Sequence, residues 1–497
     1  MPFVLALDQG TTSSRAIVFD ERGEKRGVAQ VALEQIFPRP GWVEHDAQAI
    51  WRDELQCARD AIAQAGVSAD DIRAVGVTNQ RETIVLWDRA TGVPIHNAIV
   101  WQDRRTADTC ETIAARPGVA DMVRSRTGLT VDPYFSASKI AWILDHVDGA
   151  RERAAAGELA AGTIDSWLIF NLSGGTVHAT DVTNASRTLL YDIAQGAWAP
   201  ELCALFDVPE NLLPVVVPSS GILGATDPTI FGRALPIAAA CGDQQAALVG
   251  NGGFEAGDAK VTFGTGIFAL MHTGTVRPTS QTLAVTLAAQ TGEALEYALE
   301  GSVFMGGAVV QWVVEQLHLA ESPAAAQVLA ESVPDSNGVV LVPALTGLGA
   351  PEWDPYARGA IFGLTRGANS AHITRAAMES IALQVGDLIG AMVDDSGHEL
   401  HALRADGGVT VNSLVMQTLA DVLGIPVDVA AMAESTALGV AYLAGLATGV
   451  WSGPDDLAML RAVGRVYRPD ETANQRIAHL RVLWGEAVKR SLKWERD

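Results

Sequence analysis

Short apolar runs alternate with longer amphipathic stretches over the first hundred residues. The runs "FVLALD", "RAIVFD", "IRAVGVT" and "TIVLWD" read as strands, whereas "AQAIWRDELQCARDAIAQAG" places Trp51, Leu55, Ala58 and Ile62 at helical spacing. This alternation predicts an α/β architecture. About six residues join the first two runs, too few for a crossover helix, so an antiparallel hairpin is expected to open a mixed sheet in place of a βαβ unit.

A second passage of the same type begins at "PIAAACGDQQAALVG" and continues through "DAKVTFGTGIFALM", again a strand, a turn rich in Gly and Thr, and a strand. The chain therefore reads as two related halves, 1–250 and 251–497. In the second half, "ITRAAMESIALQVGDLIGAMVDD" puts Ile373, Ala377, Ile381, Val385, Leu388 and Met392 on one face of a long helix. "SLVMQTLADVLG" and "STALGVAYLAGLATG" predict two more.

Composition narrows the function classes. A chain of 497 residues with 48 % hydrophobic content is expected to form two or three domains with substantial interiors. Its net charge of −23, from 58 acidic and 35 basic residues, disfavours a nucleic-acid partner, which needs a basic surface to release counterions. A small ligand fits better. Cys57, Cys110, Cys203 and Cys241 lie far apart, without the spacing of zinc or redox sites, and read as reduced thiols of a cytoplasmic protein. The start "MPFVLALDQG" lacks a basic segment, and no apolar run approaches the roughly 18 residues of a membrane helix, so neither secretion nor membrane insertion is expected.

Several turns carry candidate chemistry. In "DQGTTSSR", Gly10 permits close backbone approach, Thr11, Thr12, Ser13 and Ser14 offer hydroxyls and amides to phosphate oxygens, and Asp8 at the strand end suits Mg²⁺. A polar turn satisfying its own backbone is the plainer alternative. "TFGTGIF" repeats the pattern around Thr265, giving one phosphate-sized cradle per half. "LRADGGVTVN" leaves Gly407 and Gly408 open to a flat ligand, or is simply a strand-to-helix turn. "NQRET" sets Arg81 beside Glu82 at a strand end, suited to the hydroxyls of a polyol or to a surface ion pair. Trp101 and Tyr134 would wall such a ligand or fill the core. Asp243 in "CGDQQAA" stands between a strand and a helix, where it would accept a proton from an attacking hydroxyl or cap the helix. His398 and His401 in "GHELH" lack further ligands for a metal.

Taken in order, "LALDQGTTSSRAIVFD", "GVTNQRET", "AIVWQDRRTA", "RTGLTVDPYFSASKIAWILDH", "TDVTNASRTLLYDI", "GDQQAALVG", "TFGTG", "VPALTGLGAPEWDPYARGAIFGLTR" and "LRADGGVTVN" resemble the FGGY carbohydrate kinase family over nearly the whole chain. "NQRET", "WQDRRT" and "DPYFS" resemble its glycerol-phosphorylating members in particular. The resemblance implies the actin-like ATPase fold, two ribonuclease H-like domains with ATP in the cleft between them. It implies that Thr11, Thr12, Ser13 and Arg15 serve the nucleotide phosphates, with Thr265, Gly307, Gln311, Gly408 and Asn412 completing the ATP site. Arg81, Glu82, Trp101, Tyr134, Asp243, Gln244 and Phe268 match the glycerol pocket; Asp243 is the implied general base, and Asp8 and Asp243 the implied Mg²⁺ ligands. A cytoplasmic homodimer or homotetramer is the corresponding expectation.

The region that forms a fructose 1,6-bisphosphate loop in some relatives reads "DPTIFGRALP", leaving Arg233 as the one anion contact, and no histidine lies between Gly221 and Ile237 to take an activating phosphate. "PDETANQRIAH" likewise departs from the regulatory surface of enteric relatives. Two alternatives stay open at this stage: a kinase for another polyol or ketose, and a non-catalytic ATP-binding switch on the same scaffold.

Overall fold

The computed structural model describes residues 2–431, 434–460 and 463–495. Two large sheets organise it. The first contains β1 (Phe3–Gln9), β2 (Ser13–Asp20), β3 (Lys25–Ala32), β4 (Ile72–Asn79), β5 (Ser220–Ala225) and β6 (Pro236–Gly242), in the order β5-β6-β4-β1-β2-β3. The second contains β7 (Ala259–Phe263), β8 (Ile267–Gly274), β9 (Ala284–Leu287), β10 (Tyr297–Val303), β11 (Leu403–Asp406), β12 (Val427–Ala430) and β13 (Val463–Tyr467), in the order β9-β10-β8-β7-β11-β12-β13.

The same motif lies at the centre of both. An antiparallel hairpin, β1 with β2 or β7 with β8, carries a further antiparallel strand on one side, and two parallel strands follow on the other, β4 and β6 or β11 and β12. The predicted hairpin is present, with Asp8 opposite Arg15. This repeat is the two-domain α/β arrangement that the resemblance implies. The run "PIAAACG", read as the start of the second passage, is β6 and pairs with β4 in the first sheet.

Helix α1 (Ala47–Ala65) covers one face of the first sheet, with Ile50, Ala58 and Ala61 in its core. The other face receives α2 (Asp243–Gly250) and, from far along the chain, α6 (Ser435–Thr448). The last two cross at glycines: a Cβ at Gly439 would stand 1.7 Å from the Ala246 carbonyl, and one at Gly250 would stand 1.9 Å from that of Ser435. Only backbone fits between them, so the small residues of both sequences set the approach.

In the second half, α3 (Gly307–Glu315), α4 (Ser370–Ser396) and α5 (Ser413–Leu423) pack over the sheet. All six positions predicted on one face of α4 are buried except the half-buried Ile373. Contrary to the sequence expectation, α4 is long and apolar enough by length and composition to cross a membrane, with a mean hydropathy of 1.3 in its most apolar window. Yet 78 % of that window is buried inside the protein, so its apolarity serves the core. All four cysteines are free and buried.

Between β4 and β6 the chain makes most of a subsidiary unit around a four-stranded sheet of residues 84–88, 98–99 and 159–163, joined by 44–45 from ahead of α1, with its own apolar cluster. It supplies Trp101, whose indole N–H reaches Thr11 just after β1, and Tyr134, which packs on Trp101.

Candidate active site

The β1–β2 turn closes with the Gly10 N–H donating to the Ser13 carbonyl at 2.9 Å. Thr12 is exposed and Thr11 and Ser13 are half-buried, so their polar groups reach solvent, but Ser14 turns inward and donates to Gln9 Oε1 at 2.7 Å. Below the turn, Gln35 Nε2 donates to the Thr11 carbonyl at 2.8 Å and Gln80 Nε2 to the Gly10 carbonyl at 3.2 Å. His45 lies between these two glutamines, 2.9 Å from Gln35 Oε1 and 3.3 Å from Gln80 Nε2. Burial lowers the His45 pKa to about 4, so it stays neutral and the scaffold under the turn carries no cation there.

Asp8 is buried and ion-paired with Arg15, whose backbone N–H reaches Glu54 at 3.3 Å. Complete burial pushes the Glu54 carboxyl well up, with Asp8 adding to the rise. Only Oδ2 of Asp8 takes part in its pairing with Arg15, and Asp243 uses Oδ1 alone toward Arg81 and the Gln244 N–H. Among the described residues no hydrogen bond reaches the second oxygen of either carboxylate, so both retain a hard oxygen donor of the kind Mg²⁺ takes. No group of three or more His, Cys, Asp or Glu suited to a metal occurs among the described residues.

Arg81 and Glu82 are not a surface pair. Arg81 is 3 % exposed; its Nε lies 3.2 Å from Asp243 Oδ1, its Nη1 donates to Gln245 Oε1 at 3.2 Å, and both terminal nitrogens grip Glu300 of β10, one of them at 3.1 Å. Glu82 takes a left-handed backbone (φ 65°) and accepts from Arg187 Nε at 2.6 Å. Arg187 also donates to Glu300 at 3.0 Å. Packing β6 against Arg81 requires a glycine: a Cβ at Gly242 would stand 2.6 Å from Arg81 Cδ.

Asp243 is the first residue of α2, and Gly242 is the cap, so the helix-cap alternative for Asp243 gives way to a carboxylate in the first turn. Its side chain is 31 % exposed. Burial in the cleft raises its pKa to about 6 against the opposing pull of Arg81 and Lys260, with Glu82 and Glu300 adding to the rise. The buried Lys260 of β7 hydrogen-bonds Gln244 and donates to Thr262 Oγ1 at 2.9 Å. Trp101 and Tyr134 meet edge-to-face at 5.5 Å, and the Trp101 indole N–H donates to Thr11 Oγ1 at 3.0 Å, joining the implied glycerol wall to the phosphate turn. Phe268 stands half-buried on β8, opposite Thr262.

The second turn is tighter: the Gly264 N–H donates to the Gly266 carbonyl at 2.9 Å, leaving Thr265 exposed. Gly307 begins α3 against this turn, where a Cβ would stand 2.9 Å from the Gly264 carbonyl, and Gln311 is exposed one helical turn later. Gly407 is fixed by the fold (φ 95°, its Cβ position 2.4 Å from the Phe263 carbonyl), whereas the Cβ position of Gly408 meets open space. The side chain of Asn412 caps α5 through Val415 N–H at 3.1 Å, an engagement the sequence reading did not include.

Family models agree with this geometry. Residues 3–250 match the N-terminal domain of the FGGY family of carbohydrate kinases, and residues 259–448 its C-terminal domain. The chain belongs to this family. It is 55 % identical to a glycerol kinase of Leptothrix cholodnii over 99 % of this chain and 100 % of that relative. It is 52 % identical to a glycerol kinase of Deinococcus radiodurans over 100 % of this chain and 98 % of the other. Among solved structures, the Plasmodium falciparum glycerol kinase with ADP superposes with a TM-score of 0.93 at 34 % identity, covering 99 % of this chain and 98 % of that one.

Within this family framework, sequence reasoning missed three buried groups: Arg187, Glu300 and Lys260. Arg187 sits inside the quoted segment "TNASRT" without a role. Glu300 and Lys260 are single charges in the otherwise apolar strands "YALEGSV" and "AKVTF", and a lone charge in a buried strand is the signal that would have exposed them. Arg233, the remaining candidate anion contact, is exposed and paired with Asp70 at 2.8 Å.

Proposed function

We propose that this chain, an ATP-dependent glycerol kinase, builds its acceptor site from Arg81, Glu82, Trp101, Tyr134, Asp243, Gln244 and Phe268. The observation that supports this reading best is Asp243: a partly exposed carboxylate raised toward neutrality in the first turn of a helix, 3.2 Å from Arg81 and near Glu82, Lys260 and Glu300. Polyol hydroxyls would exchange hydrogen bonds with Arg81, Glu82 and Gln244, while Trp101, Tyr134 and Phe268 cover the carbon faces. Asp243 would take the proton of the terminal hydroxyl as its oxygen bonds to the γ-phosphorus and the bond to the ADP oxygen breaks. The products are sn-glycerol 3-phosphate and ADP.

On the nucleotide side, Thr11, Thr12, Ser13 and Arg15 would meet the phosphates from the first half, and Thr265, Gly307, Gln311, Gly408 and Asn412 would hold the rest of ATP from the second. Asp8 and Asp243 would hold Mg²⁺, which supplies charge neutralisation on the phosphoryl oxygens when bound. The division of labour between segments 1–250 and 251–497, an assembly of two or four copies and a cytoplasmic location belong to the same reading.

The deciding experiment follows ADP release from MgATP with purified protein, comparing glycerol with a panel of polyols and ketoses and with no acceptor, and identifies the product by mass. Strong stimulation by glycerol with glycerol 3-phosphate formed supports the reading. Stimulation by a sugar alone would reassign the substrate, and slow acceptor-independent hydrolysis would favour the switch. Light scattering on the eluting protein fixes the number of copies.

A further inference from the structure

Four charged side chains buried between the halves form one continuous cluster. Glu300 reaches it from β10 of the second sheet; Arg81, Glu82 and Arg187 come from the first half and its subsidiary unit. Relative exposures are 6 % for Glu300, 3 % for Arg81, and 1 % for both Glu82 and Arg187. Isolated, each charge would be very unfavourable here; together the two guanidinium groups and two carboxylates balance. Arg187 further sits over the rings of Tyr134 (5.7 Å) and Phe135 (5.2 Å), a cation–π arrangement that adds a second acceptor-site residue to its contacts.

We propose that Glu300 and Arg187 are positioning residues of the acceptor site: Glu300 orients Arg81 from across the two halves, and Arg187 orients Glu82 and Tyr134. This rests on the assignment of Arg81, Glu82 and Tyr134 to glycerol made above. Glu300 holds Arg81 and Arg187 holds Glu82 through charge-assisted hydrogen bonds, so their effect passes through the two residues assigned to the hydroxyls. An arginine whose two terminal nitrogens are held by a carboxylate has lost most of its rotamer freedom before substrate arrives, which spares that cost on binding. Because the carboxylate comes from the second sheet, the hydroxyl-binding pair takes up this geometry only when the halves stand in this arrangement. Acceptor binding is thereby coupled to the position of the half that carries the Thr265 turn.

The test is a double-mutant cycle on the full chain. Glu300→Gln keeps the shape and removes the charge; it is expected to raise the KM for glycerol about tenfold while the KM for ATP stays within about twofold. Introduced into Arg81→Ala, the same change is expected to add less than about twofold, because the residue it acts through is gone. A glycerol KM that does not move in Glu300→Gln, an equal rise for glycerol and ATP, or full additivity with Arg81→Ala would overturn the proposal. If Glu300→Gln fails to fold, judged by its thermal melt, Glu300→Asp carries the same comparison, and so does Arg187→Lys against Glu82→Gln. Failure of the acceptor-site assignment itself looks different: Arg81→Ala alone would then leave the glycerol KM unchanged.

Discussion

The two hairpin turns occupy equivalent places in the two sheets yet are built for different work. The first closes from Gly10 to Ser13, has Asp8 ion-paired to Arg15 at its base, and is held from below by Gln35, Gln80 and the neutral His45 and from the side by Trp101. The second closes one residue sooner, from Gly264 to Gly266, and has Thr262 in place of a carboxylate, with Thr265 exposed at its tip. A repeated fold therefore does not imply repeated chemistry. The Asp8–Arg15 ion pair and side-chain amides gather around the first turn, while Gly306, Gly307 and Gly407 pack their backbones against the second. The exception is Glu300, which the second sheet sends across to the first.

That contrast predicts unequal effects of equivalent mutations. Asp243→Asn should have the largest, lowering kcat by about 10²–10⁴ while leaving glycerol binding by calorimetry nearly intact, since the amide keeps the shape but cannot take a proton. Turnover close to normal would remove Asp243 from the mechanism. Asp8→Asn should come next, with a loss of about 10²-fold at fixed Mg²⁺ and a higher Mg²⁺ concentration for half-maximal rate; a changed glycerol KM with an unchanged Mg²⁺ titration would refute its assignment.

Trp101→Phe keeps the ring wall but removes the N–H donated to Thr11. A net hydrogen bond of about 1 kcal/mol corresponds to roughly fivefold in kcat/KM, and the effect should appear with ATP and glycerol alike because the bond joins the two sites. Thr265→Ala, at the exposed tip of the second turn, should raise the ATP KM by only about threefold. Were it to equal Asp8→Asn in effect, the asymmetry between the turns would be wrong.

A separate effect is on stability. Burial alone would raise the Glu300 carboxyl, but Arg187 and Arg81 hold it down at about 2, below the usual 4.5. A carboxyl with a depressed folded-state pKa contributes stability that is complete above 4.5 and lost as the pH falls toward 2. The melting temperature of the native chain should therefore exceed that of Glu300→Gln by a margin that shrinks between pH 5 and pH 3. A constant margin would mean that the charge of Glu300 contributes nothing.

Much of the architecture was legible in the sequence because local signals suffice for it. Spacing alone predicts the β1–β2 hairpin, α1 and the buried face of α4, and the glycines and hydroxyls of the two turns announce their positions. Asp243 and Arg81 stood at strand ends, where residues bordering a cleft are expected. Other features were beyond local reading. The inward turn of Ser14 depends on Gln9, and the capping role of Asn412 competes with its implied place in the ATP site. The run "PIAAACG" is as apolar as a strand of either sheet, and only pairing with β4 places it in the first.

By itself, the sequence determined the elements, the two turns and the family, because each is written in a pattern a few residues long. Tertiary structure alone decided that α6, near the far end of the chain, would cross α2 at Gly250 and Gly439, that Arg187 would meet Glu82 from 105 residues away, and that Glu300 would meet Arg81 from 219. The physical reason is the same in both cases. Backbone contact between helices and the balancing of buried charge are properties of pairs, and no single segment carries the information about its partner.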